Sequence, residues 1–288
     1  MSLHSISPSG LRPIEELMET FKNRQHSPTA QKSKEQPQQL SFWPKELFKL
    51  PENVRAGPND IMRSAIFTIR SKREKRASIQ NKIIYSPTNL EITFTGIELS
   101  VQDDELVWLQ VIELAKHQEA ETWVTFTSGE LCKCIGWGAN GTYYQKIHDC
   151  LIRLKATAIQ IRKKSENKGK AFSMISDYEW CNKYHRVKIP AFVQTLFANN
   201  EFSYLQWQQY RKLSPIAKKI YAYAVSHTDP NGLLLETVKR MCESHAEQPY
   251  KWKQQVKKAC EELETSKLIR VAEIRKVSRN DHLITERW

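Results

Sequence analysis

The chain has 288 residues and carries 44 Lys and Arg against 32 Asp and Glu, a formal net charge of +12 at pH 7. Hydrophobic residues make up 40%, which excludes a wholly disordered chain, and at ~100–200 residues per domain the length accommodates two domains and a tail. No run approaches the ~18 apolar residues of a membrane span, and the first ten residues have neither a basic nor an apolar segment of the secretory kind, so the sequence reads as a cytoplasmic protein without membrane contact. A cytoplasmic chain this basic reads as one that meets a polyanion, or else as merely a soluble basic protein.

Seven of the twelve prolines lie in the first 58 residues, and Gln, Ser and Lys fill much of the span 23–39. This composition cannot form a packed core, so residues 1–58 read as a mostly disordered tail. Two islands interrupt it. Ile14, Leu17, Met18 and Phe21 share one face of a short amphipathic helix, and Gln39-Leu40-Ser41-Phe42-Trp43 is a hydrophobic–aromatic pentapeptide. Each either docks a partner or packs back on the fold.

A first domain, 59–189, begins with a basic run, Arg70, Lys72, Arg73, Lys75 and Arg76, which is either a DNA contact or a solvated loop. Strand-like stretches follow at Lys82–Tyr85 and Leu90–Thr95. Asp103-Asp104-Glu105 then opens a helix with an apolar stripe of Val107, Val111, Leu114 and Ala115, its acidic start suited to the helix dipole. Thr127-Ser-Gly-Glu130 is a capping-box pattern for a short helix through Ile135. Gly136, Gly138 and Gly141 interrupt it. The next helix, Thr142 to Lys155, turns Tyr143, Ile147, Cys150, Leu151 and Leu154 inward and Thr142, Gln145, Lys146, Asp149 and Arg153 outward. Strands are expected at Ala158–Arg162 and Ala171–Ser176, flanking a basic tip with Lys163, Lys164, Lys168 and Lys170. Helix, short helix, turn, polar-faced helix and basic hairpin is the order of a winged helix-turn-helix.

The order repeats in a second domain, 190–288. Ser214-Pro215 is an N-cap and N1 proline ahead of a stripe of Ile216, Ile220, Tyr223 and Ala224. Asp229-Pro-Asn-Gly232 is a turn, and a short helix carries Val238, Met241 and Cys242. A longer helix from Pro249 buries Trp252, Val256, Ala259, Cys260 and Leu263. Strands at Leu268–Ile274 and His282–Thr285 flank a basic tip with Arg275, Lys276 and Arg279. The predicted fold is therefore α+β, tandem winged helix-turn-helix domains behind a disordered tail.

Several patterns are decoys. Gly136-Trp-Gly138-Ala-Asn-Gly141 matches G-x-G-x-x-G, but a capped helix precedes it and no acidic residue follows at the dinucleotide spacing, so the glycines fit a turn. Ser165-Glu-Asn-Lys168 matches S-x-x-K by chance. There is no P-loop and no His-x-His pair. Among the six cysteines only Cys132 and Cys134 are close, with one residue between them, whereas zinc pairs need two or more and usually come twice; all six read as reduced core thiols. No metal, cofactor or catalytic group is predicted, and the chain reads as a non-enzyme.

The nucleic-acid constellation is richer. Gln pairs bidentately with adenine, and Lys and Arg reach guanine or phosphate. Lys251, Gln254, Gln255 and Lys258 recur at i, i+3, i+4, i+7 on one helix face with Lys253 and Lys257 beside them, against a solvated polar face as the bland alternative. Asn140, Thr142, Gln145, Lys146 and Arg153 form the smaller set in the first domain. The hairpin-tip cations suit the neighbouring backbone or minor groove, where contacts position rather than specify. The second domain, richer in Lys and Gln, is expected to dominate base reading.

Six strings resemble the TrfA-type replication initiators of broad-host-range plasmids: PNDIMRSAIFT from Pro58, TGIELSVQDDELVWLQV from Thr95, TFTSGELCKCIGWGANGTYYQKIHDCLIRLKATA from Thr125, YRKLSPIAKKI from Tyr210, LLLETVKRMC from Leu233 and KWKQQVKKACEEL from Lys251. They cover most of residues 58–265. The resemblance implies two winged helices that bind repeated origin sequences (iterons), open an adjacent A·T-rich segment and engage one exposed single strand. It implies host DnaA and the replicative helicase as partners, and a homodimer in equilibrium with monomer. The family also carries a sliding-clamp motif, Gln-Leu-x-Leu-Phe; Gln39, Leu40, Ser41, Phe42 and Trp43 occupy the matching place, with Phe and Trp at the last two positions. A tandem winged-helix transcriptional repressor is the alternative with the same fold and charge, and a scaffold using these domains for protein contacts is a third.

Overall fold

The computed structural model describes residues 43–70, 75–87, 89–117, 122–166, 168–198, 201–227 and 232–288. It mixes helices and sheets throughout. In chain order the elements are α1 (Lys45–Lys49, a 3-10 turn), β1 (Val54–Pro58), α2 (Asn59–Met62), β2 (Phe67–Thr68), β3 (Ser78–Ile84), β4 (Leu90–Ile97), β5 (Leu99–Ser100), α3 (Asp104–Ala115), β6 (Trp123–Thr127), α4 (Ser128–Ile135), α5 (Gly141–Lys155), β7 (Ala158–Lys163), β8 (Gly169–Phe172), β9 (Asp177–Cys181), β10 (Tyr184–Lys188), α6 (Ala191–Thr195), β11 (Phe202–Gln206), α7 (Trp207–Tyr210), α8 (Pro215–Ser226), β12 (Leu233–Leu234), α9 (Leu235–Cys242), α10 (Pro249–Thr265), β13 (Val271–Val277) and β14 (Asn280–Glu286). Among the described residues no helix is long and apolar enough to cross a membrane.

Two modules share one topology. In the first, α3, β6, α4 and α5 are closed by the β9–β10 hairpin, and β6 pairs antiparallel with β10 in the order β6-β10-β9. In the second, α8, β12, α9 and α10 are closed by β13–β14, in the order β12-β14-β13. The difference lies after the last helix. α10 runs directly into its hairpin, whereas α5 is followed by β7–β8, which joins β3 and β4 in a separate sheet of order β3-β4-β7-β8.

This corrects the expected first hairpin. Lys163, Lys164, Lys168 and Lys170 do lie on or beside the β7–β8 connection, but it belongs to the four-stranded sheet. The cause is burial: Ile159 and Ile161 alternate inward beside Leu90, Ile92 and Phe94, which share one buried face of this sheet. The expected strand at 171–176 also ends early, at Phe172. Met174 and Ile175 are fully buried, and the Met174 carbonyl accepts from the Trp108 indole at 3.1 Å.

The tail boundary is corrected too. The chain is folded from Trp43, whose ring meets Phe197 edge-on at a centroid distance of 5.3 Å. All five residues of β1 are buried, and β1 pairs antiparallel with β11, Val54 opposite Gln206. The expected tail helix at Ile14–Phe21 and the segment Gln39–Phe42 lie outside the described residues.

The two modules are tied by polar bonds as well as packing. α4 ends at Gly136, in the left-handed region at φ 84°. Its last carbonyls would be orphaned, but they are taken from beyond the first module. Cys134 O accepts from the Trp207 indole and from Arg211, each at 2.9 Å, and Arg211 also reaches Lys133 O at 3.5 Å. A Cβ at position 136 would sit 3.1 Å from the Arg211 guanidinium, so glycine serves both the backbone turn and this close approach. Deeper in, Glu105 of α3 accepts from the Tyr210 hydroxyl at 2.8 Å. Burial pushes the Glu105 carboxyl up to about 7, with Lys219 and that hydroxyl acting in the opposite direction.

Candidate nucleic-acid interface

α10 is amphipathic in the predicted register. Trp252, Val256, Ala259, Cys260 and Leu263 are buried, while Lys251, Lys253, Gln254, Gln255, Lys257 and Lys258 are all exposed. Pro249 at the first turn lacks only an N–H that the helix would not have used. Lys253 reaches across to Asp281 of β14 at 2.8 Å; the other five residues take part in no ion pair among the described residues. The hairpin beside the helix closes with the two-residue turn Ser278-Arg279, Ser278 being left-handed at φ 56°. Arg279 stands at that tip, with Arg275 and Lys276 on β13 just before it, all exposed. The structure therefore brings together one helix face and one basic hairpin, as the sequence indicated.

The first module is different. Asn140 caps α5, its Oδ1 accepting from Tyr143 N at 3.2 Å. Thr142 and Gln145 are exposed, and Gln145 donates to Asp149 at 2.8 Å. Lys146 is engaged within the module, 2.5 Å from an Asp103 oxygen and 4.1 Å from the Trp137 ring centroid. Arg153 is engaged too, donating to Asp104 at 2.8 Å. Asp104 has no exposed surface and also accepts from Arg76 at 2.8 Å and from Ser100 N at 2.7 Å. This carboxylate thus holds α5 to α3 and the chain before β3 to both. Arg153 is an anchor rather than an outward cation, because its stem leaves the helix on the α3 side.

Of the basic run before β3, Arg70 lies 3.2 Å from Glu98 and Arg76 is on Asp104. Both described arginines are thus internal, and residues 71–74 lie outside the described set.

The hairpin that stands beside α5 was not anticipated. β9 and β10 close with the two-residue turn Asn182-Lys183, Asn182 being left-handed at φ 53°. Asn182 and Lys183 are exposed at its tip, and Trp180 is 54% exposed, edge-on to His148 of α5 at 4.7 Å. A hydrogen-bond chain underpins it: the Tyr178 hydroxyl is 2.8 Å from His148 Nδ1 and 2.9 Å from His185 Nδ1, and His185 Nε2 is 2.6 Å from Ser128 Oγ. Burial, then His148, pushes the His185 ring down to about 4, so it is neutral at pH 7. The asparagine in the middle of DYEWCNKYHRVK was the available signal, since Asn favours the left-handed turn position of a two-residue hairpin.

Lys164, displaced from this interface, lines an open cleft of about 590 Å³ with Arg63, Tyr85, Tyr223 and Arg240. Trp43, the last residue of the clamp-like pentapeptide, has its ring in the core. Among the described residues no group of three or more His, Cys, Asp or Glu side chains is placed to hold a metal. Burial raises the thiols of Cys132, Cys150, Cys242 and Cys260, the last two to about 12.

The profile of the TrfA protein family matches residues 14–285. The chain belongs to the TrfA family. It is 39% identical over 252 residues to the "plasmid replication initiator protein TrfA" of Escherichia coli, covering 85% of this chain and 64% of that relative, so it spans under two thirds of the relative's length. In fold it is similar to crystal structures of domains 2 and 3 of RctB. One superposes with a TM-score of 0.56 at 12% identity, covering 80% of this chain and 98% of that one. The other gives 0.53 at 12% identity, over 78% and 95%. The first of the strings that carry the family resemblance is largely core: Ile61, Met62, Ala65, Ile66 and Phe67 are buried.

Proposed function

We propose that this protein is a non-enzymatic plasmid replication initiator whose two modules are winged helix-turn-helix domains binding one repeated origin sequence. The observation that carries the reading is the exposed Lys and Gln face of α10 beside the Arg279 hairpin, in a module whose topology occurs twice. Each third helix enters a major groove and each hairpin lies on the adjacent backbone. The family relative, named as an initiator, supports the biological setting.

Opening the origin is a matter of binding energy. Melting costs ~1.4 kcal/mol per base-pair step, so ten pairs need roughly 14 kcal/mol. One protein's specificity surplus of ~4–10 kcal/mol is too small. Several copies on adjacent repeats, negative supercoiling and capture of one A·T-rich strand together suffice, without ATP. Recruitment of DnaA, the replicative helicase and the sliding clamp, action in the cytoplasm and a monomer–dimer equilibrium complete the proposal.

The test is replication itself. The gene is placed with its neighbouring repeats on a plasmid lacking any other origin, and transformants are counted. Colonies that depend on the gene support the proposal. No colonies, with tight binding to the same repeats in a gel shift, would replace it with a transcriptional repressor.

A further inference from the structure

The path from α5 to α10 is short and polar. α5 follows α4 after the turn at residues 136–140. The carbonyls closing α4 are held by Trp207 and Arg211 of the α7 segment. Three residues beyond Arg211, at Ser214, the chain reaches α8, and Lys218 of α8 turns back to donate to Arg211 O at 3.2 Å and Leu213 O at 2.9 Å. Ser214 N donates to Glu262 of α10 at 2.9 Å. The guanidinium of Arg211 grips one module and its carbonyl is gripped by the other.

We infer that Arg211 is a positioning residue that fixes the spacing and phase between the two reading helices. The protein thereby measures the number of base pairs between the two halves of one repeat. Duplex DNA turns once in ~10–10.5 base pairs over 34–36 Å, so one inserted pair moves the second half by about 3.4 Å and about 35°. A joint whose carbonyls are bonded at 2.9 Å does not follow such a change without breaking. Lysine, a compact ammonium on a flexible stem, does not reproduce the planar fork that lies against Gly136.

The inference rests on the proposed two-module reading of DNA, and the experiment separates the two. The full chain is titrated against its own origin repeat, random duplex, and repeats with one or two base pairs inserted between the halves. Wild type is expected to lose at least ~10-fold in affinity on a one-pair insertion. Arg211→Met is expected to bind the parent repeat within about threefold of wild type and to lose most of the insertion penalty, with Arg211→Lys between them. An unchanged penalty in Arg211→Met overturns the inference, and so does a wild type indifferent to insertion. A wild type that binds random duplex as well as the repeat overturns the two-module reading itself. Should Arg211→Met lower the unfolding temperature, Trp207→Phe, which removes the indole bond to Cys134 O and keeps an aromatic ring beside Tyr210 and Arg55, carries the same comparison.

Discussion

At the scale of single residues, two buried carboxylates do opposite things. Asp104 is matched by Arg76, Arg153 and a backbone N–H. Asp104→Ala would leave two arginines facing an apolar gap, and removing one partner of a buried pair costs about 3–5 kcal/mol; urea unfolding should show that loss. Glu105 is costly to ionise, its pKa lying at about 7 instead of 4.5. Between those values the folded chain holds a proton that the unfolded chain has released. The stabilisation is complete below pH 4.5 and lost as pH rises through 7. Glu105→Gln keeps an acceptor for Tyr210 without the titration, so the fall in stability from pH 5 to 8 should shrink by roughly 1–3 kcal/mol. On the interface, Gln254→Ala should cost ~1–3 kcal/mol in binding and relax preference at one base. A fall shared equally by all sequences would remove Gln254 from the reading set.

At the scale of elements, the helices were legible and several strands were not. The stripes of α3, α5, α8 and α10 repeat at helical spacing over two or more turns, and Thr127 and Glu130 form the capping box their spacing announced. Strands β1, β6 and β11 are short, and their partners lie far away in sequence, so nothing local marks them, whereas β9 and β10 are neighbours marked only by Asn182 at their turn. Lysine density drew attention to β7–β8, yet hairpin membership is decided by which apolar face finds cover, and Ile159 and Ile161 find it on β4. The α10 set was legible because it needs only one helix. Arg153 and Lys146 read as outward cations because their partners, Asp104 and Asp103, lie more than 40 residues away in sequence and only the fold returns them beside α5. The corrected assignment makes a distinct salt prediction. Lys183→Ala should flatten the dependence of log affinity on log salt by about 0.9, one phosphate contact, and Lys164→Ala should leave it unchanged.

At the scale of the whole molecule, the N-terminal segment from Trp43 is structural. A chain begun at residue 59 would lose β1, expose the edge of β11 and remove the ring against Phe197. It should aggregate or melt without a cooperative transition, while one begun at residue 43 should keep its unfolding temperature in calorimetry. The same pairing sets a clock on synthesis. β1 leaves the ribosome about 150 residues ahead of its partner β11. At ~5–20 residues per second, five residues that end buried wait roughly 8–30 s for a neighbour. Their attachment must come late, after the first module has already been made. The newborn chain therefore passes through a stage in which its oldest strand still waits, unpaired, beside a first module already made.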